Sequence, residues 1–94
     1  SNISKNKTSI NRKKKDLIYI LIGSFYSEST AIFLKERIIK DVSSLDHKKL
    51  KVKKINNKET QVISGPYTSV NLLKNDYIKL KSFGFEELDI FINE

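Results

Sequence analysis

The sequence predicts an α+β domain in which one four-stranded antiparallel sheet carries two helices on one face. The chain has 94 residues, which allows one small domain. Strand-like and helix-like patterns alternate in the order β-α-β-β-α-β, and turn residues separate them. Because four short strands are too few for two sheets, a single layered sheet is the arrangement we expect, with the first and third strands central.

The first half of the chain predicts a strand, a helix and a second strand. Residues 17–22 form a continuous apolar run that ends at a Gly-Ser pair, which is typical of a central strand. Ser27 is suited to cap a helix, and residues 49–55 alternate lysines with apolar side chains, as a half-buried strand does. Apolar residues at helical spacing lie between them, at Ala31, Leu34, Ile38, Val42 and Leu45.

The second half predicts a returning strand, a helix and a last strand. The pair Asn56-Asn57 favours a tight turn into a strand over residues 60–64, which Gly65-Pro66 is expected to end. Thr68 or Ser69 can cap the second helix, whose apolar face is Val70, Leu73, Tyr77 and Leu80. Gly84 is suited to the position after that helix, with Phe85 in contact with the core, and residues 88–93 alternate as a strand.

The charge is concentrated at the beginning of the chain. The net charge is +7, and residues 1–15 hold six of the 18 basic residues and no acidic one. Such a segment buries too little apolar surface to offset its ordering entropy, so we predict a disordered basic linker over residues 1–15 and a domain over 16–94. No apolar run is long enough to span a membrane, and no cysteine is present, which excludes disulfides and thiol chemistry.

Enzymatic chemistry finds little support in the residues. His47 is the only histidine, and it falls at a predicted helix end with no visible catalytic or metal-binding partners. Glu86, Glu87 and Asp89 form an acidic cluster that nothing in the pattern encloses in a cleft. We therefore expect a domain that is not an enzyme and that has no cofactor and no metal.

The two strand-to-helix turns carry a family resemblance. Gly23-Ser24-Phe25 and Gly65-Pro66-Tyr67 each follow a strand, and Gly84-Phe85 follows the second helix. This pattern resembles the SPOR domain, the sporulation-related repeat of bacterial envelope proteins, over about residues 17–92. The resemblance implies an RNP-like, ferredoxin-like fold.

The resemblance also implies a function. SPOR domains bind glycan strands of peptidoglycan that lack stem peptides, and they bring their parent proteins to the division septum. It implies a periplasmic domain, cell-division proteins as further partners, and a parent protein anchored in the inner membrane through an upstream segment. In the family the glycan crosses the helix-free face, where a glutamine and a serine three residues later are typical contacts. Ser24 occupies the serine position, whereas Leu21 occupies the glutamine position.

Strand alternation predicts which side chains lie on the helix-free face. An apolar stripe is expected, flanked by lysines on the second strand and by amides that suit sugar hydroxyls. With Ser24, the candidate glycan-binding residues are Tyr19, Leu21, Lys51, Lys53, Gln61, Ile63 and Phe91.

Two other functions are consistent with the sequence. An apolar stripe on an uncovered face also suits another protein or a second copy of the chain. The topology is also that of RNA-recognition modules, which stack bases on aromatic residues of both central strands. The third strand has no aromatic residue between 60 and 64, so we expect no nucleic-acid partner.

Overall fold

The computed structural model describes residues 17–93, and it confirms the α+β arrangement. The predicted basic linker lies outside the described residues. The sheet order is β2-β3-β1-β4, with all neighbouring strands antiparallel, so the first and third strands are central as predicted. The elements are β1 (Leu17–Phe25), α1 (Glu28–Asp41), β2 (Leu50–Asn56), β3 (Glu59–Tyr67), α2 (Val70–Ser82) and β4 (Asp89–Asn93).

The helix ends follow the predicted capping residues. The side chains of Ser27 and Ser69 accept hydrogen bonds from backbone N–H groups three residues later, at the start of α1 and α2. Gly84 has a φ of +98° and follows α2. Its N–H and that of Phe85 donate to the carbonyls of Lys81 and Leu80, the two bonds of a Schellman motif.

Both central strands continue past the glycines that were expected to end them. β1 runs through Gly23 to Phe25, and β3 runs through Gly65 and Pro66 to Tyr67. The pairing of β1 with β3 shifts at both places. An inserted residue lets a strand bend and re-aim its side chains without ending, which is why glycine marks a bulge here and not a stop.

The core lies between the two helices and one face of the sheet. Ile20 and Val62 of the central strands are fully buried there, with Ile38 of α1 and Leu80 of α2. The other buried apolar residues of this cluster are Ile22, Ala31, Val42, Leu45, Leu50, Tyr67 and Leu73. The alternation of Ile20 with Tyr19 places the opposite face of the sheet away from both helices.

A buried polar network accompanies this core. Tyr67 is 1% exposed, and its hydroxyl donates to Oδ2 of Asp76 at 2.6 Å while Ser64 Oγ lies 2.7 Å away. Burial raises the pKa of the Tyr67 hydroxyl, and the hydrogen bond to the Asp76 carboxylate raises that pKa further. The network holds the end of β3 against α2.

The edge strand β4 is less covered than its alternation predicts. Ile90 and Ile92 lie on the helix side, opposite Ile20 and Ile18 of β1. They nevertheless remain 49% and 61% exposed, because the helices leave this edge uncovered. None of the helices within residues 17–93 is long and apolar enough to cross a membrane.

Candidate functional site: the open face of the sheet

The helix-free side of the sheet, here called the open face, presents three rows of side chains. Strand register places Tyr19 beside Phe91 in the first row. The second row runs across the sheet from Lys51 through Ile63 and Leu21 to Asp89, and the third contains Lys53, Gln61 and Ser24. Since adjacent rows are two strand residues apart, the face spans roughly 13 Å from the first row to the third.

The first row is a stacked aromatic pair. The rings of Tyr19 and Phe91 are nearly parallel, at 10°, with centroids 5.2 Å apart. The Tyr19 ring also lies against Gly65, where a Cβ would come within 2.6 Å of Tyr19 Cδ2. Lys51 Nζ donates to the Gly65 carbonyl at 2.7 Å. Gly65 is therefore held by contact with the Tyr19 ring and by the hydrogen bond from Lys51.

The second row is more closely packed than an exposed stripe would be. Ile63 is only 3% exposed, although no helix covers it. It lies between Lys51 and Leu21, its direct neighbours on the adjacent strands. The long stem of a lysine can cover apolar surface while its ammonium stays in water. Ile63 is therefore a packing residue beneath the surface of the open face. Its neighbour Leu21, which is half-buried, is accessible to a ligand.

The third row contains a hydrogen-bonded cluster around Glu59. Ser24 Oγ donates to Glu59 Oε2 at 2.8 Å, and Gln61 Nε2 donates to the same oxygen at 3.2 Å. Glu59 and Gln61 are partly buried, whereas Ser24 and Lys53 are exposed. The cluster holds a hydroxyl, an amide and a carboxylate in fixed positions, which together can donate to and accept from neutral polar groups.

A β-bulge turns Ser24 toward this cluster. Simple alternation from Leu21 would place Ser24 on the helix side, two positions after Ile22. The pairing of β1 with β3 shifts between Leu21 and Gly23, so that Ser24 stands opposite Gln61 on the open face. The same shift sends Phe25 to the helix side, where it packs against the core.

Glu59 is a site residue that the sequence pattern does not predict. The third strand was predicted to begin at residue 60, which left Glu59 in the turn. The strand begins at Glu59, because Asn56 Oδ1 accepts from the Lys58 N–H and tightens the hairpin. Glu59 is two residues before Gln61, so strand parity would have placed both on one face once the turn was set correctly.

Charge is unequally distributed across the open face. Lys51 and Lys53 lie on the β2 edge, and Asp89 lies on the β4 edge. Lys51 retains two N–H donors beyond its bond to Gly65. An anionic group on a ligand is therefore favoured at β2 and disfavoured at β4.

Other titratable clusters are sparse in the part of the chain that the structure describes. No group of three or more histidine, cysteine, aspartate or glutamate residues between 17 and 93 could hold a metal ion. His47 is exposed in a short 3₁₀ turn, His47–Lys49. Lys49 belongs to that turn and not to β2, and its Nζ lies 5.6 Å from the centroid of the Tyr67 ring, on the helix side.

The chain was also compared with known proteins. No family model matches it, and no curated protein or solved structure gives a match. None of these comparisons identifies a SPOR domain, so that resemblance stays a prediction from the glycine-aromatic turns.

Proposed function

We propose that this chain is a non-catalytic SPOR-type domain that binds peptidoglycan glycan strands lacking stem peptides, and that it directs its parent protein to the division septum from the periplasm. The stacked Tyr19–Phe91 pair on the open face is the observation that carries this proposal. Three further properties of the face support it.

The first property is the combination of an aromatic row with a polar row. Sugar rings have apolar C–H faces that pack on aromatic rings, and hydroxyls that need hydrogen-bond partners. The aromatic pair serves the first need, and the cluster of Ser24, Glu59 and Gln61 serves the second. The distance between these rows exceeds one sugar ring, which suits a polymer.

The second property is the lysine edge. Removing stem peptides leaves a free lactyl carboxylate on each muramic acid of the glycan. Lys51 and Lys53 on β2 are placed to attract that charge, whereas Asp89 repels it from the opposite edge. Each exposed pair is worth roughly 0.2–1 kcal/mol, so the lysines orient the strand more than they hold it.

The third property distinguishes sugar from nucleobases. A base-stacking sheet places aromatic rings on both central strands. β3 presents Gln61, Ile63 and Gly65 to the open face, so the aromatic surface is confined to β1 and β4. This arrangement favours a glycan over RNA.

Retention on purified sacculi, with and without prior amidase treatment, tests the proposal. We expect the chain to be retained on amidase-treated sacculi and to be washed from untreated ones. Equal retention on the two preparations, or no retention on either, would overturn the proposal.

A matched pair of variants locates the binding surface. Phe91→Ala removes the stacked ring and should weaken retention about fivefold or more, since aromatic packing contributes about 1 kcal/mol beyond the area buried. Phe83→Ala removes a ring that is 54% exposed at the end of α2, so it should bind like the wild type. Equal loss in the two variants would contradict the assignment of the open face.

A further inference from the structure

The outer edge of β4 has an apolar surface that the proposed glycan site does not use. Ile90 and Ile92 project to the helix side and are 49% and 61% exposed. β4 is the last strand of the sheet within the described residues, so its outer backbone N–H and C=O groups have no strand partner there. An uncovered apolar edge of this kind is a template for strand addition.

The two edges of the sheet differ in how they are protected. β2 carries Lys51, Lys53 and Lys54, and lysine on an edge strand discourages pairing with another chain. β4 has the sequence Asp-Ile-Phe-Ile-Asn, with no basic residue and no proline. β4 therefore combines unpaired outer backbone groups with exposed apolar side chains and lacks the lysines that protect β2.

We propose that β4 pairs antiparallel with β4 of a second copy of this chain, about a two-fold axis at Phe91. The strand is self-complementary in this register. Phe91 stands beside its own counterpart, and Ile90 stands beside Ile92 of the partner. Cross-strand pairs of β-branched and aromatic residues are among those that stabilise sheets most.

Like-charge repulsion favours this antiparallel register over parallel pairing. Asp89 is the one charged residue of β4, and the two-fold axis places it opposite position 93, which the sequence fills with an uncharged asparagine. The acidic residues Glu86 and Glu87, which precede the strand, stay at opposite ends of the paired strands. Parallel pairing would instead bring Asp89 beside Asp89 and both acidic clusters together, which is unfavourable.

The pairing would join the two sheets into one of eight strands. The Tyr19–Phe91 stacks of both copies would meet at the two-fold axis, so the two open faces would form one continuous surface. One strand pair and four isoleucines bury less than the roughly 1,200 Å² of a stable interface, so the dimer is weak and depends on concentration.

Sedimentation equilibrium from about 10 μM to about 1 mM tests this inference, since a weak interface corresponds to a Kd in that range. We expect the average mass of the wild type to rise toward twice the monomer mass. Ile90→Lys and Ile92→Lys should each stay monomeric at every concentration. The matched control is Ile55→Lys, which alters an isoleucine that is 42% exposed on the opposite edge and should dimerise like the wild type.

A cysteine placed on the axis tests the register separately. The chain contains no cysteine, so Phe91→Cys introduces a single thiol. Directly opposed strand positions bring Cβ atoms to roughly 4.5–5.5 Å, near the range of a disulfide. Mild oxidation should crosslink this variant much faster than Ile55→Cys.

Three results would overturn the inference. They are a wild type that stays monomeric to about 1 mM, a dimer that survives both lysine substitutions, and equal crosslinking of the two cysteine variants. Glycan retention of Ile92→Lys is read in parallel. Loss of the dimer in Ile92→Lys supports the edge assignment whether or not the wild type is retained on amidase-treated sacculi, so the two proposals can fail separately.

Discussion

The hydroxyl of Tyr67 donates a 2.6 Å hydrogen bond to Oδ2 of Asp76, which joins the last residue of β3 to the middle of α2. Because the Tyr67 proton points to Asp76, the hydroxyl of Ser64 donates to the Tyr67 oxygen at 2.7 Å. A buried carboxylate is costly unless it is hydrogen-bonded. The Tyr67 hydroxyl on Oδ2, together with Lys79 Nζ 3.7 Å from Oδ1, makes the Asp76 carboxylate tolerable on the core side of α2.

Removal of that hydroxyl should destabilise the fold. Tyr67→Phe leaves the Asp76 carboxylate without its shortest donor, and hydrogen bonds to charged groups are worth about 1.5–3 kcal/mol. We expect a loss of about 2 kcal/mol in the free energy of unfolding, measured by urea denaturation at neutral pH. Tyr26→Phe is the control, because Tyr26 is 75% exposed and its substitution should have little effect.

Alkaline pH should lower the free energy of unfolding through the same network. The pKa of Tyr67 is raised in the folded state, first by burial and then by the Asp76 carboxylate. Below about pH 10 the hydroxyl is protonated in both states and contributes no pH dependence. Above that pH the unfolded chain releases the proton while the native protein keeps it, so stability falls by up to about 1.4 kcal/mol per pH unit.

The measurement compares the wild type with Tyr67→Phe. Urea midpoints from about pH 9 to about pH 11 should fall more steeply for the wild type, since only it has the perturbed phenol. Parallel slopes for the two proteins would contradict a raised Tyr67 pKa.

Periodicity predicted the elements and their faces, but it could not predict this network. Asp76 follows Leu73 by three residues, so helical spacing alone places it near the apolar face. A carboxylate is nevertheless expected in water unless a partner is known. The partner, Tyr67, lies beyond the strand end that Gly65-Pro66 predicts.

The side chains of the open face could also be predicted only in part, because alternation does not account for bulges. Strict alternation predicted Tyr19 and Phe91 on the same face, and the structure places them there, since no bulge interrupts the pairing of β1 with β4. It could not orient Ser24, whose direction depends on the bulge after Leu21. The exposure of Ile63 could not be predicted from alternation either, because it depends on how neighbouring side chains cover this residue.

Ile63 should behave as a packing residue and not as an exposed contact. It is 3% exposed, so Ile63→Ala should cost about 2 kcal/mol of unfolding free energy, at the low end for buried isoleucine because its neighbours can relax. Ile55→Ala, at a position 42% exposed on β2, should cost much less. Thermal or urea unfolding of both variants measures the difference, and similar small losses would show that Ile63 is accessible.

Gly65 should be intolerant of a side chain because of Tyr19. Its φ is +150°, and a Cβ would lie 2.6 Å from Tyr19 Cδ2 and 3.1 Å from the Ile18 carbonyl oxygen. Gly65→Ala should therefore destabilise by about 1–3 kcal/mol, more than Gly84→Ala, where nothing lies within 4 Å of a Cβ.

A double-mutant cycle separates the ring from the backbone. In a Tyr19→Ala background the contact with the ring disappears, so Gly65→Ala should cost at least about 1 kcal/mol less than it does in the wild type. An unchanged cost would assign the whole effect to backbone strain and to the Ile18 carbonyl.

Glu59 should set the strength of glycan binding through its two donors. Both Ser24 and Gln61 donate to its Oε2, so Glu59→Ala releases the hydroxyl and the amide from their fixed positions. Loss of this positioning should weaken binding to amidase-treated sacculi about tenfold, which corresponds to about 1.4 kcal/mol of binding free energy. The stability should change little, because Ser24 is exposed and can bond water instead.

Glu86→Ala makes the same change in net charge at an exposed position after α2, where only the backbone carbonyl accepts a bond, from Lys81. If the two variants weaken binding equally, the effect is one of net charge, and Glu59 does not position the site.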